Sequence, residues 1–489
     1  MSVQEEKLYT LNKNHGTAES IPLVKTLKLG KTHLAAMAAL LNIVGLGMVS
    51  GFSAPGTADM KRPGSRFTNI TNSQVTWIAS LPSITAIFGN LFSGYFSLKL
   101  GRKAVLMYVS GPYLASWLII AYAPSIHWIY VGRLLSGLCI GACSVAVPAY
   151  VIEIATIEIR GLLGSCFQLY YAIGVLVMMS FGIILRWSWL AITGALITAV
   201  ASLLMYFMPE SPAWLLSKGR DSEAFESIRF LKGRHFDSIQ EYSATVDHIA
   251  EETLKTISIQ EFQEPQLYKP VVLAIALMFF QQFSGVSALM AYTVEIFEHA
   301  ESSLDPSIAA AVIAVVQVIA TLIGSTLMDK AGRRKLYLVS GVFITVGLLI
   351  LGVYGIIYKK YVLNQTVFGW IPLAGFIIFV ASFSLGFGPI PYLMTPEFVP
   401  VHSRSAVLAI AGIFSSAFLF IVTKTFDDLR TFVSDYGVYW VYGFFSLLGC
   451  LFCWLCLPET KQKSIREIQQ SFLSDIDKEQ DFISSYEAI

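Results

Sequence analysis

Glu153 and Arg160 stand seven residues apart just past the end of one apolar run, and Glu397 and Arg404 stand seven apart just past another. Carboxylates and guanidinium groups so placed can form charge-assisted, often bidentate pairs with a group of the same or of another segment. Two further marks repeat with them: Gly101-Arg102-Lys103 returns as Gly332-Arg333-Arg334, and Pro209-Glu210 returns as Pro458-Glu459. The chemistry on offer is reversible ion pairing, which suits a gate that closes in one state and parts in another. Glu158, beside them, reads as a solvated anchor. The remaining reactive side chains do not assemble into catalysis. Cys453 and Cys456 have metal or redox spacing, but inside an apolar helix they read as small packing groups, and the seven histidines are scattered. With no phosphate-binding loop, nucleophile elbow or acid/base pair, the sequence points to no enzyme, no cofactor and no metal.

The elements that carry these groups are set by composition. Of 489 residues, 55% are hydrophobic and 14% charged, against about 25% charge in soluble domains. Apolar windows of bilayer length occur at roughly 33–53, 75–97, 104–123, 126–149, 163–185, 189–208, 270–293, 307–328, 336–357, 370–394, 405–426 and 438–457. They predict an all-α polytopic membrane protein of twelve spans. Each repeated charge falls at the end of the corresponding span of its half, so the chain reads as two pseudo-symmetric six-helix halves related by an axis along the membrane normal. The expected domains are a cytoplasmic N-terminal segment (1–32), a first half (33–208), a cytoplasmic connector with short helices (209–269), a second half (270–457) and a cytoplasmic tail (458–489). Basic residues concentrate in 98–103, 330–335, the N-terminal segment and the connector, which puts both termini in the cytoplasm. Lys61, Arg62 and Arg66 in the first outer loop break that bias, while 294–306 is acidic. The same topology places the sequons at Asn69 and Asn364 outside. A net charge of +1 gives no reason to expect nucleic acid.

The stretches GRLLSGLCIGACSVAVPAYVIEIATIEIRGLLGSCFQL (132–169), PESPAWLL (209–216), QQFSGVSALMAY (281–292), DKAGRRKL (329–336), GFGPIPYLMTPEF (386–398) and LPETKQKS (457–464) resemble the signatures of the sugar porter family of the major facilitator superfamily. Within it the chain is most similar to insect facilitated trehalose transporters and the animal glucose transporters nearest them. The resemblance implies the major facilitator fold and a sugar site lined by Gln168, Gln281, Gln282 and Gln317, since an amide offers both donors and an acceptor to hydroxyls. A helix-to-helix hydrogen bond is the competing reading of the Gln281-Gln282 pair and of Gln317. Tyr292 and Tyr392 can stack on a sugar. Ser287, Tyr392 and the pair Ser415-Ser416 stand where glucose transporters have Asn, Trp and Asn-Trp, and Ser384 replaces an acidic or amide residue, which predicts a roomier second-half lining. Leu98 likewise departs from an acidic or amide position.

Proton-driven relatives carry an Asp in span one where this chain has Ser53, and serine does not titrate; Arg133, the partner of such an Asp, is present. Asp59 reads as a solvated loop-edge charge. The expectation is a facilitative uniporter working by alternating access on trehalose or a hexose such as glucose. A sugar sensor with little transport and a proton-coupled sugar or polyol symporter are the alternatives. The gate is expected to involve Arg102, Glu153, Arg160, Glu210, Arg333, Glu397, Arg404 and Glu459, its pairs existing only while the carrier is open outward. The expected partners are a small-molecule sugar and membrane lipid, in a chain functional as a monomer in the plasma membrane.

Overall fold

The computed structural model describes residues 30–67, 69–155, 157–232, 263–300, 303–360, 368–399, 403–461, 467–468 and 472, the side chains of 157–165, 266, 329, 359 and 405 excepted. Among these residues every regular element is helical. Eleven helices are long and apolar enough to cross a membrane, and Ile157–Phe181 occupies the place of span five. Hydrocarbon offers no water to a free N–H or C=O, so each span pairs its backbone internally. Several spans run beyond the apolar windows. Span one continues from Lys31–Gly51 through Ser53–Lys61, span two is Asn72–Leu100, and span four is Ile126–Ile154. Span three is Arg102–Ala121 and span six Trp187–Tyr206. Two short helices follow, Pro212–Ser217 and Asp221–Lys232.

In the second half, spans eight, nine, eleven and twelve are Pro306–Ala331, Arg333–Lys360, Arg404–Lys424 and Gly437–Cys456. The other two are interrupted. Span seven is built of Pro265–Phe283 and Val286–Ala291, and the short helix Thr293–His299 follows it. The break within the span is at Gly285, with φ of 82°, where a Cβ would lie 2.1 Å from the Tyr442 ring; only glycine combines that dihedral with that approach. Span ten passes from Ile371–Ser382 through a wide π turn, Phe383–Phe387, into Pro389–Glu397. Pro389 and Pro391 have no N–H to continue the ladder, and the loosened turn answers that. Such breaks persist in a membrane where protein covers them or a cavity adjoins them, and Phe383, Ser384, Gly386 and Phe387 are buried. An additional helix outside the expected spans, Phe426–Val433, joins eleven to twelve.

The halves meet where span two packs on eleven and span five on eight. Lipid is as apolar as a leucine side chain, so close contact and not water exclusion must join them. Accordingly, small residues recur in the cluster between spans one, five and eight and the short helix after span seven: Ala54, Ala310, Ala311 and Ala314, with Val175, Met179 and Val294. Large apolar side chains such as Phe88, Leu91, Phe92, Leu196 and Leu203 point outward, as a lipid-facing surface requires.

Candidate functional site

The breaks in spans seven and ten bring polar groups to the centre of the second half. Gln281 Nε2 donates to the Gly388 carbonyl in the loosened stretch of span ten. Gln282 Nε2 donates to Gln281 Oε1 and to Ser415 Oγ, both at 3.2 Å. The Ser287 hydroxyl donates to Gln282 Oε1 at 2.9 Å, and the hydroxyls of Tyr392 and Ser415 lie 3.0 Å apart. Five residues named from the sequence therefore form one connected chain across spans seven, ten and eleven. Tyr392 is 40% exposed and lies near Tyr171 of span five, so this end of the chain is turned towards the first half.

The other two glutamines stand apart from this chain. Gln317 on span eight is buried, and its Oε1 has no hydrogen-bond partner, a state that costs about 1–3 kcal/mol unless a ligand relieves it. Gln168 on span five is half-buried. Tyr292 differs from its expected use: it is stacked on Phe426 at 4.6 Å and donates to the Thr423 carbonyl, so its ring face is already occupied. Ser416 turns away from Ser415 towards the other half, where Asn90 Nδ2 donates to it at 3.4 Å and Ser144 donates to Asn90 Oδ1 at 2.8 Å. Asn90 was missed from the sequence; a buried amide in an apolar run was the available signal.

Arg133 is fully buried in span four. Its Nε donates to the Ile78 carbonyl at 2.7 Å, Nη1 to the Val49 carbonyl at 2.8 Å and Nη2 to Ser53 Oγ at 2.7 Å. Ile78 needs that donor because the residue four further on is Pro82, which has no N–H. The guanidinium thus repairs the backbone at a proline in span two while facing Phe52 and Ser53 of span one. None of these partners titrates.

At the span ends bearing the repeated motifs, each half builds the same arrangement. In the first, Arg102 donates to Glu153 Oε1 at 2.8 and 3.0 Å and to the Ser97 carbonyl, and Ser211 donates to Glu153 Oε2. In the second, Arg333 donates to Glu397 Oε1 at 3.3 Å and to the Met328 carbonyl, and Thr460 donates to Glu397 Oε2 at 2.6 Å. Glu210 accepts from the backbone N–H groups of Arg102, Lys103 and Ala104, and Glu459 from those of Arg333 and Arg334. Each carboxylate sits on the open N-terminal turn of a span, where donors and helix dipole favour an anion. Gly101 and Gly332 permit this with φ of 107° and 91°; a Cβ on Gly101 would lie 2.4 Å from Glu210 Oε2. Of the two alternatives the sequence left open, these pairs take partners of the same half. Arg404 Nε donates to the Pro396 carbonyl. The side chains of Glu158 and Arg160 lie outside the described residues, as does Asn364; Asn69 is exposed. Asp59 corrects its expectation: Oδ2 accepts from the Trp187 N–H at 2.9 Å and so caps span six, for the same reason of open N-terminal donors.

The sequence profile described as "Sugar (and other) transporter" matches residues 9–472. The facilitated trehalose transporter Tret1 of Apis mellifera ligustica is 34% identical over 446 residues, 91% of this chain and 88% of that one. Tret1 of Culex quinquefasciatus is 33% identical over 89% of this chain and 85% of its own length, and Tret1 of Anopheles gambiae 33% over 91% and 56%. Among solved structures, the partially occluded inward open conformation of the xylose transporter XylE from E. coli aligns with a TM-score of 0.74 at 22% identity, over 88% of this chain and 99% of that one. XylE bound to 6-bromo-6-deoxy-D-glucose aligns at 0.71 and 22%, over 90% and 99%. At that identity the likeness concerns the fold, which is the twelve-helix major facilitator architecture.

Proposed function

Because the chain belongs to the sugar transporter family of the major facilitator superfamily, we propose that its sugar is trehalose or a hexose such as glucose, carried by facilitated uniport through alternating access. The observation that carries the site is the hydrogen-bonded network of Gln281, Gln282, Ser287, Ser415 and Tyr392, which ends at the partly exposed Tyr392 beside span five of the other half. Sugar hydroxyls can exchange into it donor for acceptor, while Gln168 and Gln317 supply amides from spans five and eight. Uniport is supported by the hydroxyl of Ser53 at Arg133, because a cycling proton needs a titratable group inside the membrane. Arg102, Glu153, Arg160, Glu210, Arg333, Glu397, Arg404 and Glu459 form a cytoplasmic charge belt at the inner gate, in which the Arg102–Glu153 and Arg333–Glu397 pairs brace helix ends within each half. The carrier works as a monomer surrounded by lipid in the plasma membrane, with both termini cytoplasmic and glycans on Asn69 and Asn364.

Counterflow of radiolabelled glucose and trehalose into proteoliposomes tests the reading. Preloaded unlabelled sugar should drive transient uptake of at least one, and a proton gradient alone should drive no accumulation; accumulation would overturn uniport. Gln282→Ala, in the same assay, strands Ser287, Ser415 and the sugar hydroxyls, a loss of about 1–3 kcal/mol for an unmet buried group. It should raise KM without lowering expression, and an unchanged KM for every sugar removes Gln282 from the site.

A further inference from the structure

The basic residues that break the inside-positive bias have a partner. Lys61, at the outer end of span one, donates to Glu295 Oε2 at 3.2 Å on Thr293–His299, the short helix that follows span seven, so this ion pair joins the two halves. Arg430 of Phe426–Val433 donates to Glu295 Oε1 at 3.0 Å, and His299 Nε2 is 3.7 Å away. The side chains of Lys61, Glu295 and Arg430 are 31%, 18% and 20% exposed. Around the pair the outer side is covered: Tyr292 is stacked on Phe426, and Val75 and Ala79 of span two pack into the apolar core of the second half. Lys424 of span eleven adds a second tie, donating to Thr76 of span two at 2.9 Å and lying 4.7 Å over the Trp77 ring.

On the alternating-access reading given above, we propose that Lys61 and Glu295 are an outer latch, an ion pair that joins the halves while the outer side is shut and parts when sugar enters from outside. The geometry makes the contact reversible. Arg430 holds Glu295 in place from within its own half, so a countercharge stays with the carboxylate when Lys61 leaves, and no bare charge is stranded. Lys61 is the more exposed partner and regains water as it departs. Closing orders one flexible side chain against a carboxylate already oriented, which lowers the entropic cost of each cycle.

The test is external labelling of an Ala79→Cys reporter, a position 9% exposed beneath the covered outer side, by a membrane-impermeant maleimide on intact cells. Lys61→Gln and Glu295→Gln should each speed labelling several-fold, and the double variant should label no faster than the faster single one. Should Glu295→Gln fail to reach the surface, Lys61→Gln decides alone. Arg62→Gln, which faces Asp59 of its own half at 3.9 Å, should label like the parent. The latch is refuted by parental labelling in Lys61→Gln, by effects that multiply in the double variant, or by equal acceleration in Arg62→Gln. Labelling needs no sugar, so failure of the transport reading would show separately, as absent counterflow.

Discussion

The charged residues at the two faces of the membrane are wired differently. On the face that the proposed orientation makes cytoplasmic, Arg102–Glu153 lies wholly in the first half and Arg333–Glu397 wholly in the second, whereas on the opposite, outer face Lys61–Glu295 runs from one half to the other. Pairs inside a rigid body persist whichever way the body tilts, while pairs between bodies exist only in states that bring them together. The expectation that the cytoplasmic pairs form only while the carrier is open outward is therefore corrected for these two. They are present here together with the outer bridge, because both partners of each ride on one half.

The largest effect expected from this contrast is on stability. Glu210→Ala removes the acceptor for three N–H groups at the start of span three and for that of Ser211. A hydrogen bond to a charged group contributes about 1.5–3 kcal/mol when well shielded, and the site is half-exposed, so a net loss of about 2 kcal/mol is expected. Thermal unfolding in detergent should show a lowered midpoint with sugar present or absent, and Glu459→Ala should act alike in the second half. External labelling of Ala79→Cys should not change. If it changes while the midpoint holds, the cytoplasmic carboxylates govern orientation and the contrast between the faces fails.

Much of this was legible in the sequence because it repeats. Hydropathy alone marks the spans, and the doubled marks Gly-Arg, Glu and Pro-Glu locate the two charge clusters before any contact is known. Even the hydroxyl at Ser211 and Thr460, one residue past each Pro-Glu, was visible, though its bond to Glu153 or Glu397 was not read. Gln281, Gln282, Ser287, Tyr392 and Ser415 were found through resemblance, but only the breaks in spans seven and ten bring them to one place. What stayed hidden depends on facing partners far apart in the chain. Lys61 and Glu295 are separated by 234 positions, and neither belongs to the repeat; the sole signal was basic charge on the wrong side of the membrane. Arg133 was expected beside span one, yet its service to the carbonyl stranded by Pro82 follows from backbone chemistry that no spacing announces.

A smaller effect separates the faces more finely. Glu153→Gln weakens its pair with Arg102, whose side chains are 13% and 19% exposed, and leaves Arg102 with the Ser97 carbonyl. Fully exposed pairs are worth about 0–1 kcal/mol; this one is largely shielded, but the glutamine amide keeps a hydrogen bond to Arg102, so about 1 kcal/mol of first-half stability should be lost. Turnover in counterflow should fall modestly, and cysteines on the cytoplasmic side of the cavity should label somewhat faster. That shift should be smaller than the one Lys61→Gln produces outside, because an intra-half pair contributes to both orientations. Glu158→Gln serves as the control. A Glu153→Gln shift exceeding that of Lys61→Gln would reverse the ranking of the two faces.

The smallest expected effect is of pH on the outer latch. Burial pushes the Glu295 carboxyl up, but His299, Lys61 and Arg430 outweigh it and hold the group down to about 2, below the ordinary value of about 4.3. A depressed value stabilises the latched state fully above the ordinary carboxylate range, and that stabilisation is lost as pH falls through about 2. Between about pH 5.5 and 7.5 Glu295 stays charged, so its own titration should leave the ratio of entry to exit KM unchanged. His299 is the most distant of the three partners at 3.7 Å and is 61% exposed, against 3.2 Å for Lys61 and 3.0 Å for Arg430. Solvent screens such a contact strongly, and the two nearer cations dominate it. A KM ratio that moves across this window in the parent and stands still in His299→Gln would show that the imidazole, not Lys61, sets the latch.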